Sequence, residues 1–268
     1  MNDWVRLLQP YEQAVEELKV KFKSLREQYR ELSEYSPIEF TTGRVKKISS
    51  IIEKSKRLGM PLSKIEEEME DIAGIRIMCQ FIDDIYVVAD IIKARDGKDF
   101  KVLYEKDYIK NPKPSGYKSY HMILKYPVYT ASGAKEILVE IQIRTLAMNF
   151  WATIEHSLNY KYKQQIPEGV LQRLRAAAVA ATKLDEEMME ISKEVKRAQT
   201  DFEEKSNLVK DIAAIIKYLY DAGFNDVAES YTLRFDSLNS ADSVIELQYL
   251  HWEMNKYLKK IQKEEAGE

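Results

Sequence analysis

Three segments carry the residue types needed to move a phosphate group with the help of a metal ion. They are Asp71-Ile-Ala-Gly-Ile-Arg76, Val139-Glu-Ile-Gln-Ile-Arg144 and Arg44-Val-Lys-Lys-Ile-Ser-Ser-Ile-Ile-Glu-Lys-Ser-Lys-Arg57. Magnesium takes one or two protein carboxylates and fills its octahedron with phosphate oxygens and water, so Asp71 and Glu140 suffice to recruit it. Read as a helix, the basic segment sets Lys46, Ser50, Lys54 and Arg57 along one face and Val45, Ile48 and Ile52 along the other. Such a face offers several cations and a hydroxyl to a triphosphate. No glycine-rich Walker loop occurs, which leaves side chains to grip the phosphates.

Each signal has a plainer alternative when taken alone. In a strand over 138–144, Val139, Ile141 and Ile143 face the core by period two, which puts Glu140, Gln142 and Arg144 together on an exposed face. A solvated sheet face would look the same, and basic helix faces are usually just wet. The joint occurrence of two acids and a cation row is what favours a site. Tyr117 follows Gly116 in a polar loop with little core to join, so beside Lys113 and Lys118 it reads as a stacking platform for a base. His121, His156 and His251 have no metal-ligand spacing, and each alone is as well explained structurally.

The elements that must position these residues follow from pattern and punctuation. An amphipathic helix is expected over 3–34, ending near Ser36-Pro37, and the basic helix follows Thr41-Thr42-Gly43 as its cap. Strands are expected over 72–81, near 100–105, near 119–128 and over 136–144, with a helix over 83–95 and a turn at Ser132-Gly133. Between Lys106 and Lys118 lies a loop punctuated by two prolines and Gly116, the form of a binding loop. After Thr145 the pattern is helical: 145–162, then 168 to about 203, then three shorter helical stretches broken at Gly223 and Asn239. The expected domains are 1–204, carrying the site, and an α-helical extension over 205–268 with apolar positions Ile212, Ile215, Ile216 and Leu219. That extension suits either a packing cap or an oligomer or partner contact.

At 268 residues the chain can bury a full core, and 45% hydrophobic with 32% charged residues describes a soluble protein. A net charge of -3 excludes a global basic field for duplex nucleic acid, so any polyanion site is local. The single cysteine, Cys79, excludes an internal disulfide and a cysteine zinc site. With no signal-like start and no apolar run of membrane-spanning length, a cytoplasmic protein is expected.

Gly43-Arg-Val-Lys46, Asp71-Ile-Ala-Gly-Ile-Arg76, Lys106-Asp-Tyr-Ile, Lys113-Pro-Ser-Gly-Tyr117-Lys-Ser-Tyr-His121, Glu140-Ile-Gln-Ile-Arg144 and Thr145-Leu-Ala-Met-Asn-Phe-Trp-Ala-Thr-Ile-Glu-His156 resemble, in order, the synthetase domain of the RelA/SpoT family. The resemblance spans roughly residues 10–200. No His-Asp dipeptide occurs, which makes the chain similar to the small synthetase-only members, with no hydrolase activity expected. It implies an α/β (α+β) fold: a mixed sheet of about five strands flanked by helices, nucleotidyltransferase-like, with long N- and C-terminal helices. It also implies magnesium-dependent transfer of the β,γ-pyrophosphate of ATP to the ribose 3′-hydroxyl of GDP or GTP, giving ppGpp or pppGpp and AMP.

Carried over position by position, the resemblance implies Arg44 and Arg76 around the adenine, with Lys46, Ser50, Lys54 and Arg57 on the ATP phosphates. Asp71 and Glu140 would bind magnesium, and Glu140 would deprotonate the 3′-hydroxyl. Tyr117 would stack on guanine, with Lys106, Lys113, Lys118, His121, Gln142 and Asn149 around the acceptor. The small synthetases further imply a homotetramer and a pppGpp effector site at Lys23, Phe40, Thr42, Asn149 and Glu155. Two other functions remain open at this point: pyrophosphorylation of adenosine nucleotides or a tRNA end on the same fold, and a non-catalytic module binding nucleotide or single-stranded RNA.

Overall fold

Five strands assemble into one mixed sheet of order β1-β2-β5-β4-β3. They are β1 (Phe40–Val45), β2 (Ala73–Cys79), β3 (Lys101–Asp107), β4 (Tyr120–Thr130) and β5 (Gly133–Thr145). The computed structural model describes residues 2–131, 133–162, 166–240 and 244–266; Ser132 of the expected turn lies outside them. β2 and β5 pair in parallel through the middle of the sheet, and the other pairings are antiparallel. Alternation along β5 buries Val139, Ile141 and Ile143, which join Ile75, Ile77, Met122 and Leu124 in one core. Helices α1 (Asn2–Glu31) and α4 (Ile82–Lys93) add to that core through Tyr11, Leu18, Phe22, Ile85, Val88 and Ile92.

The segment expected to be one basic helix is divided. Its first residues belong to β1, and only Ile48–Leu58 form α2, followed by the short α3 (Ile65–Glu68). The β-branched run Thr41-Thr42 pairs with β2, and Lys46 N–H continues that pairing by donating to Ile72 C=O at 2.8 Å. Gly43 is needed for packing rather than capping: a Cβ there would meet Val15 of α1 at 2.7 Å and Ile75 at 2.9 Å. The division also changes the inward face of α2, where Ile51 and Ser55 are buried while Ile48 is exposed.

Two compact units divide at residue 190, inside α6 (Glu168–Asp221). Residues 1–190 hold the sheet, α1–α4, α5 (Leu146–Lys161) and the start of α6. Residues 191–268 comprise the rest of α6, α7 (Asn225–Ser240) and α8 (Val244–Ala266) around their own core of Ile212, Ile216, Leu219, Ala228, Leu247, Leu250 and Met254. α6 runs past the expected end near 203 because after Gly169 in its first turn no glycine or proline occurs until Gly223, whose φ of 84° follows the helix. Among the described residues no helix is long and apolar enough to cross a membrane.

Candidate active site

The pairing registers line up polar side chains across the whole sheet. Thr42, Arg76, Gln142, His121 and Lys106 form one row over the five strands, and Arg44, Gly74, Glu140, Ile123 and Tyr104 form the next. Residues in register point to the same side, so both rows lie on the face opposite Ile75 and Ile141. A cavity of about 280 Å³ opens on this face, lined by Thr42, Gly43, Arg44, Asp71, Gly74, Ile75, Arg76, Glu140 and Gln142. Between Arg44 and Glu140 the row has only Gly74, whose lack of a side chain leaves the floor open.

On one side of this cavity cations meet a carboxylate. Lys46, just beyond β1, donates to Asp71 Oδ2 at 2.8 Å, and Lys54 of α2 donates to Oδ1 at 2.8 Å. Burial pushes the Asp71 carboxyl up, but the hydrogen bonds and charges of both lysines outweigh it and hold it below the usual aspartate value. Arg44 and Arg76 stand on the same face, diagonal to each other on β1 and β2. Burial, with Arg144 and Arg44 nearby, lowers the Arg76 guanidinium below its ordinary range. Ser50 and Arg57 share the α2 face with Lys54, and none of the three lines the cavity; Ser50 is half-buried and Arg57 exposed.

On the other side a closed network surrounds Glu140. His121 Nδ1 lies 2.9 Å from Glu140 Oε1, and Gln142 Nε2 donates to Oε2 at 2.7 Å. His121 Nε2 is 2.7 Å from the Tyr117 hydroxyl, which accepts from Arg144 Nη2 at 2.5 Å. An ionised carboxylate can only accept, so His121 presents Nδ1–H to Glu140, and its Nε2 edge meets the Tyr117 hydroxyl. Arg144 also donates to Gln142 Oε1 at 2.6 Å, and Arg76 donates to the same oxygen at 3.3 Å, so the amide nitrogen faces Glu140. Burial raises the Glu140 carboxyl, yet His121 and then Gln142 bring it below the ordinary glutamate value despite Asp71. It is therefore held ionised.

Arg144 was expected on an exposed face with Glu140 and Gln142, and here the structure corrects the reading. It is 4% exposed, donates to Ser119 Oγ at 3.2 Å, and has its guanidinium carbon 5.1 Å from the Tyr117 ring centre. The alternation gave its side of the sheet but not the chain segments that cover it. Tyr117 also has a neighbourhood beyond a free platform: its ring meets Tyr108 and His121 edge-on and packs with Trp151 and Ala178. Lys113 Nζ sits 4.9 Å from the centre of that ring, and Lys106 stands over Tyr104, whose hydroxyl donates to Glu70 beside Asp71. Tyr104 and Glu70 were missed; the only sequence signal was that Tyr104 alternates with Lys106 on β3.

The remaining expected positions are more scattered. Lys118 is half-buried beside Ala178, Ala181 and Thr182 of α6, and Asn149 Oδ1 is buried without a hydrogen-bond partner. Of the effector set only Thr42 lines the cavity; Phe40 precedes it on the same face of β1, Glu155 is half-buried on α5, and Lys23 is an exposed residue of α1. Among the described residues no group of three or more His, Cys, Asp or Glu could hold a metal ion by itself.

Residues 43–165 match the family model described as a region found in RelA and SpoT proteins. The chain is 59% identical over 204 residues to the GTP pyrophosphokinase YjbM of Bacillus subtilis, covering 76% of this chain and 95% of that protein. The crystal structure of small alarmone synthetase 1 from Bacillus subtilis bound to its product pppGpp superposes with a TM-score of 0.70 at 59% identity, over 73% of this chain and 99% of that one. The same protein bound to AMPCPP gives 0.65 at 56% identity, over 74% and 100%.

Proposed function

This chain belongs to the RelA/SpoT family, and we propose that it is a GTP pyrophosphokinase of the small-synthetase type, transferring the β,γ-pyrophosphate of ATP to the ribose 3′-hydroxyl of GDP or GTP. The observation that carries this reading is that Asp71 and Glu140 line one cavity, with Arg44 and Arg76 beside the first and the Gln142–His121–Tyr117 network around the second. Transfer of this kind depends on alignment and charge stabilisation more than on covalent help from the protein. The 3′-oxygen bonds to the β-phosphorus of ATP as the bond to the α–β bridging oxygen breaks, releasing AMP. The hydroxyl proton passes to Glu140, which its neighbours keep ionised and oriented.

Lys46, Lys54, Ser50 and Arg57 would hold the donor phosphates, and Arg44 and Arg76 the adenine. Tyr117 would stack on guanine, with Lys106, Lys113, Lys118, His121, Gln142 and Asn149 around the acceptor; the unpartnered Asn149 Oδ1 is in keeping with a ligand donor there. Two hard carboxylates on one cavity fit magnesium, which would be held by Asp71 and Glu140 and would supply neutralisation of phosphate charge. Assembly as a homotetramer in the cytoplasm, a pppGpp effector at Lys23, Phe40, Thr42, Asn149 and Glu155, and single-stranded RNA as a ligand belong to the same proposal. So does the division into a synthetase domain over 1–204 and an extension over 205–268.

The test is product analysis. Purified chain with magnesium and ATP is given GMP, GDP, GTP, excess ATP or tRNA as separate acceptors, and products are resolved chromatographically. Release of AMP with ppGpp from GDP and pppGpp from GTP is expected. Product only from ATP or tRNA would replace the guanine reading, and no product from any acceptor would overturn the enzymatic one.

A further inference from the structure

Asp185 is a buried carboxyl of α6, 5% exposed and outside every segment assigned to substrate so far. Its Oδ2 accepts from Thr145 Oγ1 at 2.7 Å, while that same hydroxyl oxygen accepts from Met148 N–H at 3.1 Å and caps α5. One hydroxyl thus fixes α6 to the point where β5 ends and α5 begins. The residue before it is Arg144, which holds the Tyr117 hydroxyl and Gln142, and four residues after it stands Asn149 with its unpartnered oxygen. Lys118, beside α6 one turn earlier, acts on Asp185 through its charge.

Two further contacts tie the same stretch of α6 to α5 and to the acceptor loop. Trp151 Nε1 donates to Leu174 C=O at 2.8 Å, and Gly116 lies so close that a Cβ would meet Ala178 Cβ at 2.6 Å. Gly116 has a φ of 91°, so this turn and its approach to α6 require glycine. A buried carboxylate is costly in such a place unless it serves neighbours, and a hydrophobic residue would pack there without that cost.

We propose that Asp185 is a positioning residue for the acceptor side, holding Thr145 and attracting Lys118 so that Arg144, Tyr117 and Asn149 are set for the guanine nucleotide. The proposal rests on the guanine-acceptor reading above. Thr145 hydrogen-bonds the carboxyl from the β5–α5 junction, the charge of Lys118 acts on it from the end of the acceptor loop, and Glu186 neighbours it on its own helix. Burial, the largest influence, pushes the Asp185 carboxyl up to about 6, so its charge is lost just below neutral pH.

The experiment measures kcat and separate KM values for GDP and ATP with full-length chain and magnesium, from pH 5 to 8, alongside thermal stability. Asp185→Asn keeps an acceptor for Thr145 but removes the charge facing Lys118; it should raise the GDP KM about threefold, the effect of roughly 0.65 kcal/mol, with the ATP KM unchanged. Asp185→Ala should raise it about tenfold, Thr145→Val should behave like Asp185→Ala, and Thr145→Ser should restore wild-type values. The wild-type GDP KM should climb as pH falls through about 6, and that climb should vanish in Asp185→Asn. Equal changes in both KM values, or an unchanged GDP KM in Asp185→Asn and Thr145→Val, would overturn the proposal. If Asp185→Asn or Asp185→Ala does not fold, the Thr145 pair decides alone. A wild-type chain that makes no guanine product at all defeats the acceptor reading instead.

Discussion

The two sides of the cavity are stabilised in different ways. On the Asp71 side, Arg44 and Arg76 line the cavity with that carboxylate, and Lys46 and Lys54 reach the same carboxylate and share it, so cations outnumber it. On the Glu140 side each side chain of the inner network has a partner in the chain, from Arg144 through Tyr117 and His121 to the carboxylate. Excess positive charge in a half-open pocket is completed by an anion from outside, whereas a satisfied network is already ordered and loses little on binding. The first side therefore suits the charge of a triphosphate, and the second suits the orientation of one hydroxyl and one base.

The largest expected effect comes from the ordered side. Glu140→Gln removes the proton acceptor while nearly preserving shape, and kcat should fall by about 10²–10⁴-fold with both KM values little changed. Steady-state kinetics on the pure variant checks this; a wild-type kcat would remove Glu140 from the chemistry. Asp71→Asn should lower kcat by about 10²-fold, the scale of losing one charge-stabilising group, without raising the ATP KM, because Lys46 and Lys54 are freed for the phosphates. A raised ATP KM at unchanged kcat would break the contrast by making Asp71 a binding residue only.

Tyr117 sharpens the contrast at a smaller magnitude. Tyr117→Ala should weaken GDP binding by about 1–3 kcal/mol through lost stacking, measured by calorimetry, while ATP binding stays as it was. Tyr117→Phe keeps the ring and loses the hydroxyl that joins Arg144 to His121, so it should cost less in GDP affinity than the alanine variant. If phenylalanine is as damaging as alanine, ordering of the network matters more than the ring.

How much of this was legible in the sequence depended on whether neighbours along the chain or across it decided the outcome. Period-two alternation in β5 was enough to separate Ile141 from Glu140, and the strands over 72–81 and 136–144 appear as β2 and β5. β1 was hidden because Thr41-Thr42-Gly43 also reads as a helix cap and Arg44-Val45 as the first residues of the helix; pairing with β2 settled it as strand. Local propensity gave way there to tertiary pairing. Asp71 and Glu140 were legible as residue types, but Lys46 reaching Asp71 from a strand end, and Lys54 reaching it from α2, needed the fold. Arg144 and Asp185 were unreadable as buried groups, since nothing near them in sequence signals Tyr117 or Thr145 as a partner.

Acidity offers the finest test, since the carboxyls of the cavity and of α6 are shifted in opposite directions. Asp71 and Glu140 are held below their ordinary values of 3.8 and 4.5, so the folded state binds their protons less readily than the unfolded one. Their contribution to stability is present above those values and is lost as pH falls through the folded ones. Asp185 titrates at about 6 against an ordinary 3.8, so the folded state takes up its proton first, and stability from this group rises as pH falls from about 6 toward 3.8. Relative to Asp185→Asn, the wild type should gain about 2–4 °C in Tm between pH 7 and 5, read by scanning calorimetry on both chains. Asp71→Asn should leave that gain intact and instead flatten the loss of stability below pH 4. A wild type whose Tm tracks Asp185→Asn across this range would mean that the α6 carboxyl does not titrate there, and the two regions would no longer differ in sign.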